Sequence, residues 1–179
     1  MGALDDIDLL TGCTSFILPK ITQGEEETLA LLETSGSTTY VNALRSFRVQ
    51  RCVIAVGMFS LFEAALQVEY NWVSPFVEID RHLREHGHSN LASRFDSYRL
   101  AVNVLKHGEG RSLEQLLSRQ SPLPFRVKKN GEYFEDEGDS VEGQLLVDVD
   151  DLFILDCAEV ITTVRSTAAE LFRAQGEWS

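Results

Sequence analysis

The sequence predicts an all-α protein, an up-and-down helical bundle of about four to six helices with one β-hairpin insertion near residues 125–134. Three observations predict this class. Apolar residues make up 44% of the 179 residues, which is enough for a globular core. Apolar side chains recur at helical spacing in several segments, and Gly and Pro separate those segments. The length fits one domain, residues 1–179.

The first elements are an irregular segment and a short helix. Residues 1–23 are expected to be irregular because Gly12 and Pro19 interrupt them. Three glutamates at 25–27 precede a run of leucines, which predicts a short helix with acidic residues in its first turn, where the helix dipole favours them. Residues 35–37, Ser-Gly-Ser, end that helix.

The longest helix is predicted from about Thr38 to Tyr70, where no Pro occurs and Gly57 is the single Gly. Twelve of the fifteen residues from Cys52 to Leu66 are apolar, which is typical of a helix buried at the centre of a bundle. This apolar run is too short to span a membrane, so no membrane contact is expected.

Three further helices are predicted from residues that typically begin or end a helix. Residues 74–75, Ser-Pro, form a cap followed by Pro at the first helical position, and that helix should run to about His86. The next helix should extend from Ser89 to His107, before a Gly-containing turn. Residues 112–115 have the capping-box pattern and begin a short helix.

Residues 120–147 are interpreted as an insertion made of a hairpin and an acidic loop. The hairpin covers residues 125–134, which alternate imperfectly around the turn pair at 130–131, Asn-Gly. Asp148 or Asp150 then caps the last helix, whose apolar residues trace one helical stripe.

The net charge of −12 argues against a protein that coats nucleic acid indiscriminately. The charge is uneven, because residues 1–44 carry −6, residues 45–129 carry +5 and residues 130–179 carry −11. Such blocks are commonly solvated helix faces and loops. The alternative is that the basic middle faces an anionic ligand while the acidic flanks keep the protein soluble.

The cysteines and the N-terminus favour a reduced, cytoplasmic protein. Cys13, Cys52 and Cys157 lie far apart, with no CxxC spacing, so neither a disulfide framework nor a zinc ribbon is indicated. The N-terminus lacks the basic region of a secretory signal.

Two histidines, His82 and His86, have the i, i+4 spacing that can hold zinc, with Glu78 or His88 as a third ligand. The neighbouring arginines favour a solvated helix end instead. The sequence therefore predicts no metal site and no cofactor.

One row of residues on the helix that ends at His107 could carry chemistry. Arg99, Asn103 and His107, here called the motif row, lie at i, i+4 and i+8, with Lys106 beside them and Arg111 after a Gly-flanked turn. The Arg is a permanent cation, the Asn can orient a group, and the His can carry a proton near neutral pH. This set of groups is suited to cleavage of a phosphodiester without metal, in which the His moves protons and the Arg stabilises the charge that develops on the phosphoryl oxygens.

The segment that contains the motif row, residues 98–108, resembles the signature of the HEPN superfamily, an Arg followed four to six residues later by a His with an Asn between them. Asn103 and His107 match that spacing, whereas Arg99 lies eight residues before His107. The resemblance implies a bundle of four or five helices and a metal-independent endoribonuclease of a toxin or defence type. It also implies RNA as the partner and a homodimer in which two motifs face each other.

Two further features bear on RNA binding. Arg45, Arg48 and Arg51 recur at three-residue spacing and could hold an RNA backbone electrostatically. Glu63 lies in the apolar stretch, where an unpaired carboxylate is costly to bury. Glu63 should therefore form an ion pair with a cation of the motif row or with Lys106. The alternatives are that it pairs with Arg51 or lies at an exposed boundary between helices.

A second interpretation gives the chain no catalytic role. Lys106 and His107 before Gly108 are what the dipole at a helix C-terminus favours, and Arg99 could pair with Asp96. The chain would then be an interaction or regulatory module, such as an immunity protein or complex subunit, which docks on a partner protein through its acidic surface.

Overall fold

Six helices make up most of the fold, and the computed structural model describes residues 5–132, residue 134 and residues 145–175. The helices are α1 (Asp5–Ser35), α2 (Thr38–Tyr70), α3 (Pro75–Glu85), α4 (Ser89–His107), α5 (Arg111–Leu117) and α6 (Asp151–Gln175). No strand forms in the described ranges. The all-α class is confirmed, and one hydrophobic core is shared by all six helices of the bundle.

Helix α1 replaces the irregular segment expected at residues 1–23, and that expectation is wrong from residue 5 onward. The buried positions recur at four- and three-residue spacing and are Ile7, Thr11, Thr14, Leu18 and Ile21. The threonine hydroxyls at 11 and 14 donate to backbone carbonyls of their own helix, at 3.0 and 2.7 Å. Packing of this face stabilises a helix that continues through Pro19.

Helices α1 and α2 are joined by a two-residue turn, as the sequence predicts. Gly36 has a φ of +59°, which favours glycine, and Ser37 caps α2 by accepting a hydrogen bond from the backbone N of Thr39 at 3.3 Å. The helices approach closely where Gly24 meets Phe47, since a Cβ at position 24 would lie 2.9 Å from Cζ of that ring.

Helix α2 has the predicted bounds, but it is not buried all round. One face packs in the core, whereas the opposite face leaves Val49, Val53, Leu61 and Val68 between 53% and 76% exposed. These four residues are called the α2 strip below. By length and composition α2 is apolar enough to cross a membrane, a test that core helices of soluble proteins also pass.

Helices α3 and α4 begin and end where their capping signals predict, and they pack on the C-terminal half of α2. Four phenylalanine rings join the three helices, with centroids 5.2 to 6.2 Å apart: Phe59, Phe62, Phe76 and Phe95. This aromatic cluster fixes the distance between α2 and α4, and the candidate site lies against it.

The hairpin expected at residues 125–134 is not present in the described part of that segment. Val127 instead forms an isolated antiparallel bridge with Val147, in which the Lys128 N donates to the Leu146 carbonyl at 3.0 Å. The bridge buries Val147 completely, and an isolated hairpin lacks such packing. The acidic part of the predicted insertion, residues 135–144, lies outside the described residues.

Of the two aspartates proposed as the cap of the last helix, Asp150 is the one that caps it, and α6 begins at the next residue, Asp151. Asp150 Oδ1 accepts a hydrogen bond from the backbone N of Phe153 at 2.7 Å, which satisfies one of the free N–H groups of the first turn of α6.

Candidate functional site

A cleft of about 220 Å³ opens between α2, α4 and the start of α3. Its apolar lining residues are Phe59, Val73, Phe76, Val77 and Val102, and its polar lining residues are Ser60, Glu63, Ser74, Arg99, Asn103 and Lys106. The cleft thus brings together two members of the motif row with Lys106 and Glu63, four residues that the sequence singles out.

Arg99 is held in the cleft wall by a carboxylate one helical turn earlier. Its Nε and Nη2 donate to Asp96 Oδ1 at 3.0 and 2.6 Å, which leaves Nη1 without a protein partner among the described residues. The other oxygen of Asp96 accepts from Arg119, whose Nη1 also donates to Ser97 Oγ at 2.7 Å. Two guanidinium groups therefore share one carboxylate, and the group keeps a net positive charge.

The side chains of Glu63, Asn103 and Lys106 have no partners in the described parts of the chain. Glu63 is half-buried, yet it forms no ion pair within 4.0 Å with Arg99 or Lys106. Asn103 is half-buried and Lys106 is exposed, and neither side chain forms a hydrogen bond there. The cleft therefore offers one carboxylate, one amide and two cations to a ligand.

His107 and Arg111 do not line the cleft. His107 is exposed at the last position of α4, and Arg111 is exposed at the first position of α5. The turn between them contains Gly108 and Gly110 with φ of +73° and +145°, and it does not bring Arg111 to the cleft. Within one chain, the expected catalytic set is thus divided, with Arg99 and Asn103 in the cleft and His107 outside it.

The arginines at 45, 48 and 51 do not form one continuous binding stripe. Arg51 is buried, and it donates to Glu25 at 2.8 Å and to Asp151 at 2.7 Å. Burial alone lowers the pKa of Arg51, but these hydrogen bonds and charges outweigh burial and raise it. Arg48 lines a separate cavity of about 220 Å³ beside Arg51 and Arg126, and Arg45 is exposed. Along α2, Arg51 lies about 18 Å from Glu63.

The histidine pair on α3 belongs to an aromatic cluster. The His82 ring stacks on Trp72 with centroids 5.9 Å apart and meets Phe172 of α6 edge-on at 4.9 Å. Burial, followed by the positive charge of Arg81, lowers the pKa of His82. In the described ranges, no three His, Cys, Asp or Glu residues are grouped so that they could hold a metal ion.

Several residues of the site are not evident from the sequence. Arg119 follows the short helix α5 and belongs to no periodic pattern, so only the folded chain brings it to Asp96. Ser60, Ser74 and Phe76 line the cleft because α2 and α3 pack together, although their sequence neighbourhoods indicate only a core helix and a helix cap. The pairing of Arg99 with Asp96 is one that the i, i+3 spacing predicts.

Comparisons with known proteins give no match to this chain among family models, curated proteins or solved structures.

Proposed function

We propose that the protein binds single-stranded RNA, and that the α2–α3–α4 cleft holds one nucleotide through Arg99, Lys106 and Asn103. The observation that carries the proposal is the convergence of these three side chains on one cleft, where each of them keeps hydrogen-bonding groups that the described residues do not use.

The two cations have complementary roles in phosphate binding. Arg99 keeps Nη1 available while Asp96 fixes the plane of the guanidinium, so little conformational entropy is lost when a phosphate oxygen binds. Lys106 adds a mobile point charge at the edge of the cleft. Asn103 supplies an amide that can both donate and accept a hydrogen bond.

The apolar side of the cleft favours an unpaired nucleotide. Val73 is 94% exposed and Val77 is 66% exposed, and Phe59 and Phe76 line the same cleft. A base in a duplex cannot enter such a cleft, whereas an unstacked base can pack against its apolar wall. The bulk charge of −12 limits binding to such a local positive site.

The proposal is binding without cleavage by a single chain. His107 is the proton carrier that the HEPN resemblance implies, and it does not line the cleft. Ribonuclease activity and the homodimer therefore stay predictions of the resemblance, because only a second copy could bring another His107 to this cleft. An RNA ligand agrees with the cytoplasmic location predicted from the sequence.

A second candidate function rests on a different observation. The α2 strip is an exposed apolar surface on a protein with a net charge of −12. Exposed apolar patches are typical of surfaces that contact other proteins. The corresponding function is an interaction module whose partner protein covers the apolar face of α2, rather than the acidic surface that the charge pattern of the sequence suggests.

Fluorescence anisotropy tests the RNA proposal. A 5′-labelled 12-nucleotide single-stranded RNA is titrated with the wild-type protein, with Arg99→Gln/Lys106→Gln, and with the control Lys20→Gln/Lys129→Gln, which changes the net charge equally at exposed positions outside the cleft. We expect the cleft variant to bind at least tenfold more weakly than the control. The wild-type plot of log K against log salt should have a slope of about −1.4 for two cations.

Equal affinities of the two double variants would contradict the cleft as the RNA site. Absence of RNA binding by the wild-type protein would contradict the proposed function as a whole. In that case the interaction module is the function to test. The α2 strip residues are replaced by Ser, and complexes that form with the wild-type protein but not with this variant are identified.

A further inference from the structure

Glu63 is the feature of the cleft that phosphate binding leaves unexplained. Its carboxylate is half-buried on α2 and lines the cleft beside two cations, yet it pairs with neither of them among the described residues. The two cations attract a bare anion such as inorganic phosphate, but this carboxylate weakens the attraction and gains nothing from such a ligand. The cleft therefore suits a ligand that presents hydrogen-bond donors to Glu63 and negative charge to Arg99 and Lys106.

We infer that the cleft selects guanine among unpaired bases, with Glu63 accepting hydrogen bonds from N1–H and from the exocyclic N2 amino group. This inference rests on the proposed RNA binding and deepens it, because it assigns the base that accompanies the bound phosphate.

The chemistry of the four bases supports this choice. A carboxylate is an acceptor only, so it needs two adjacent donors to bind with both oxygens. Guanine presents N1–H and N2–H side by side on its pairing edge. Adenine and cytosine each place a ring-nitrogen acceptor next to their amino group, and uracil flanks its single N–H with two carbonyl oxygens. Each of the other bases would therefore place a hydrogen-bond acceptor next to a carboxylate oxygen of Glu63, and the two would repel each other.

The rest of the cleft fits a single base. A volume of about 220 Å³ is below the range of roughly 300–1,000 Å³ typical of pockets that bury larger ligands, so one base enters and its neighbours stay outside. Asn103 lies in the same wall as Arg99 and supplies an N–H for the O6 acceptor of guanine. Phe76 and Val77 give the base an apolar surface.

The test uses labelled 9-nucleotide RNAs that contain uridine at every position except the fifth, which is G, A, C, U or inosine. Inosine keeps N1–H and O6 but lacks the N2 amino group. We expect the wild-type protein to bind the G oligonucleotide about tenfold more tightly than the U oligonucleotide, and the inosine oligonucleotide with intermediate affinity, since a good bidentate contact discriminates by that order.

The matched variants are Glu63→Gln and Glu69→Gln, which remove the same charge from the same helix inside and outside the cleft. Glu63→Gln should reduce the preference for G over U to less than twofold while binding of the U oligonucleotide is kept or strengthened. Glu69→Gln should keep the tenfold preference. Helical circular dichroism of both variants checks the fold, and the inosine comparison needs no variant.

The outcomes separate this inference from the function on which it rests. Equal wild-type affinities for the G, inosine and U oligonucleotides, with binding still dependent on Arg99 and Lys106, would overturn the guanine inference and leave RNA binding in place. A G preference that survives Glu63→Gln would overturn the role of Glu63. No binding of any oligonucleotide would overturn the proposed function as well.

Discussion

Arg51 Nε donates to Asp151 Oδ1 over 2.7 Å, although 100 residues separate them along the chain. The Arg51 side chain is only 7% exposed, and its Nη2 donates to Glu25 at 2.8 Å. Thr22 donates to the second oxygen of Asp151 at 2.7 Å. One guanidinium in the middle of α2 thus connects α1 to the first residue of α6.

Replacement of this guanidinium should destabilise the whole bundle. Arg51→Ala removes the cation that both Glu25 and Asp151 contact, and we expect the free energy of unfolding to fall by about 3 kcal/mol. Urea denaturation followed by circular dichroism measures the change. The control is the exposed Arg111→Ala, expected within about 0.5 kcal/mol of wild type. A loss below about 1 kcal/mol for Arg51→Ala would show that the network contributes little.

The hydroxyl of Tyr98 should contribute a measurable part of the stability. Tyr98 is fully buried, and its Oη donates to Asp156 Oδ2 at 2.6 Å; burial and this hydrogen bond raise its pKa far above the usual range. Tyr98→Phe keeps the ring contacts and removes a hydrogen bond to a charged group, so we expect a loss of about 1.5–3 kcal/mol in urea denaturation. Tyr40→Phe, at a half-buried position, is the control, and equal effects of the two variants would argue against a special role of Asp156.

His82 should make stability depend on pH. Because burial lowers its pKa in the folded protein, the unfolded chain binds the proton more tightly, with a pKa of about 6.5. The contribution of His82 is therefore complete above that value and is lost as pH falls through the lower, folded-state pKa.

Unfolding in urea from pH 7.5 to pH 5 measures this dependence. His82→Phe retains an aromatic ring beside Trp72 and Phe172 and should lose less stability at low pH than the wild type. His88→Gln, an exposed control at the start of α4, should follow the wild-type profile. Parallel profiles for wild type and His82→Phe would mean that other groups cause the dependence.

The position of His107 outside the cleft leads to a prediction about cleavage. Total RNA incubated in EDTA with wild-type protein or with His107→Ala should show the same background degradation on a denaturing gel, because the cleft of one chain contains no histidine. Cleavage by the wild type that His107→Ala abolishes would restore the catalytic role that the HEPN resemblance implies.

The helices that the sequence predicts best are those with explicit end signals. Pro75 at the first position of α3 and Gly108 after His107 mark the start of α3 and the end of α4, because the backbone preferences of Pro and Gly act locally, although the Ser74 side chain forms no capping hydrogen bond. The sequence does not predict α1 because Gly12 and Pro19 indicate an irregular segment and because Thr11 and Thr14 occupy core positions of the helix. Their hydroxyls bond to their own backbone, so they bury well, but they interrupt the apolar periodicity on which a sequence prediction depends.

The candidate site could be predicted only in part for a related reason. Helical spacing is enough to place Arg99 and Asn103 on one side of α4, and both line the cleft. The spacing does not predict how far along the motif row the cleft extends, and His107 lies outside it. The lack of an ion pair between Glu63 and the cations of the cleft, and the bridge between Val127 and Val147, depend on how distant segments pack, which no local pattern encodes.

Helix α2 also determines which kinds of variant can be used to map the binding site. Its 33 residues form a rod of about 50 Å that carries Arg51 at one level and Glu63 at another. Deletion of α1 would remove Glu25 from Arg51 and expose the face of α2 that packs on α1, and the same helix α2 forms one wall of the cleft. Truncated fragments would therefore lose ligand binding for reasons unrelated to the binding residues, so the site has to be mapped by point substitutions in the intact chain.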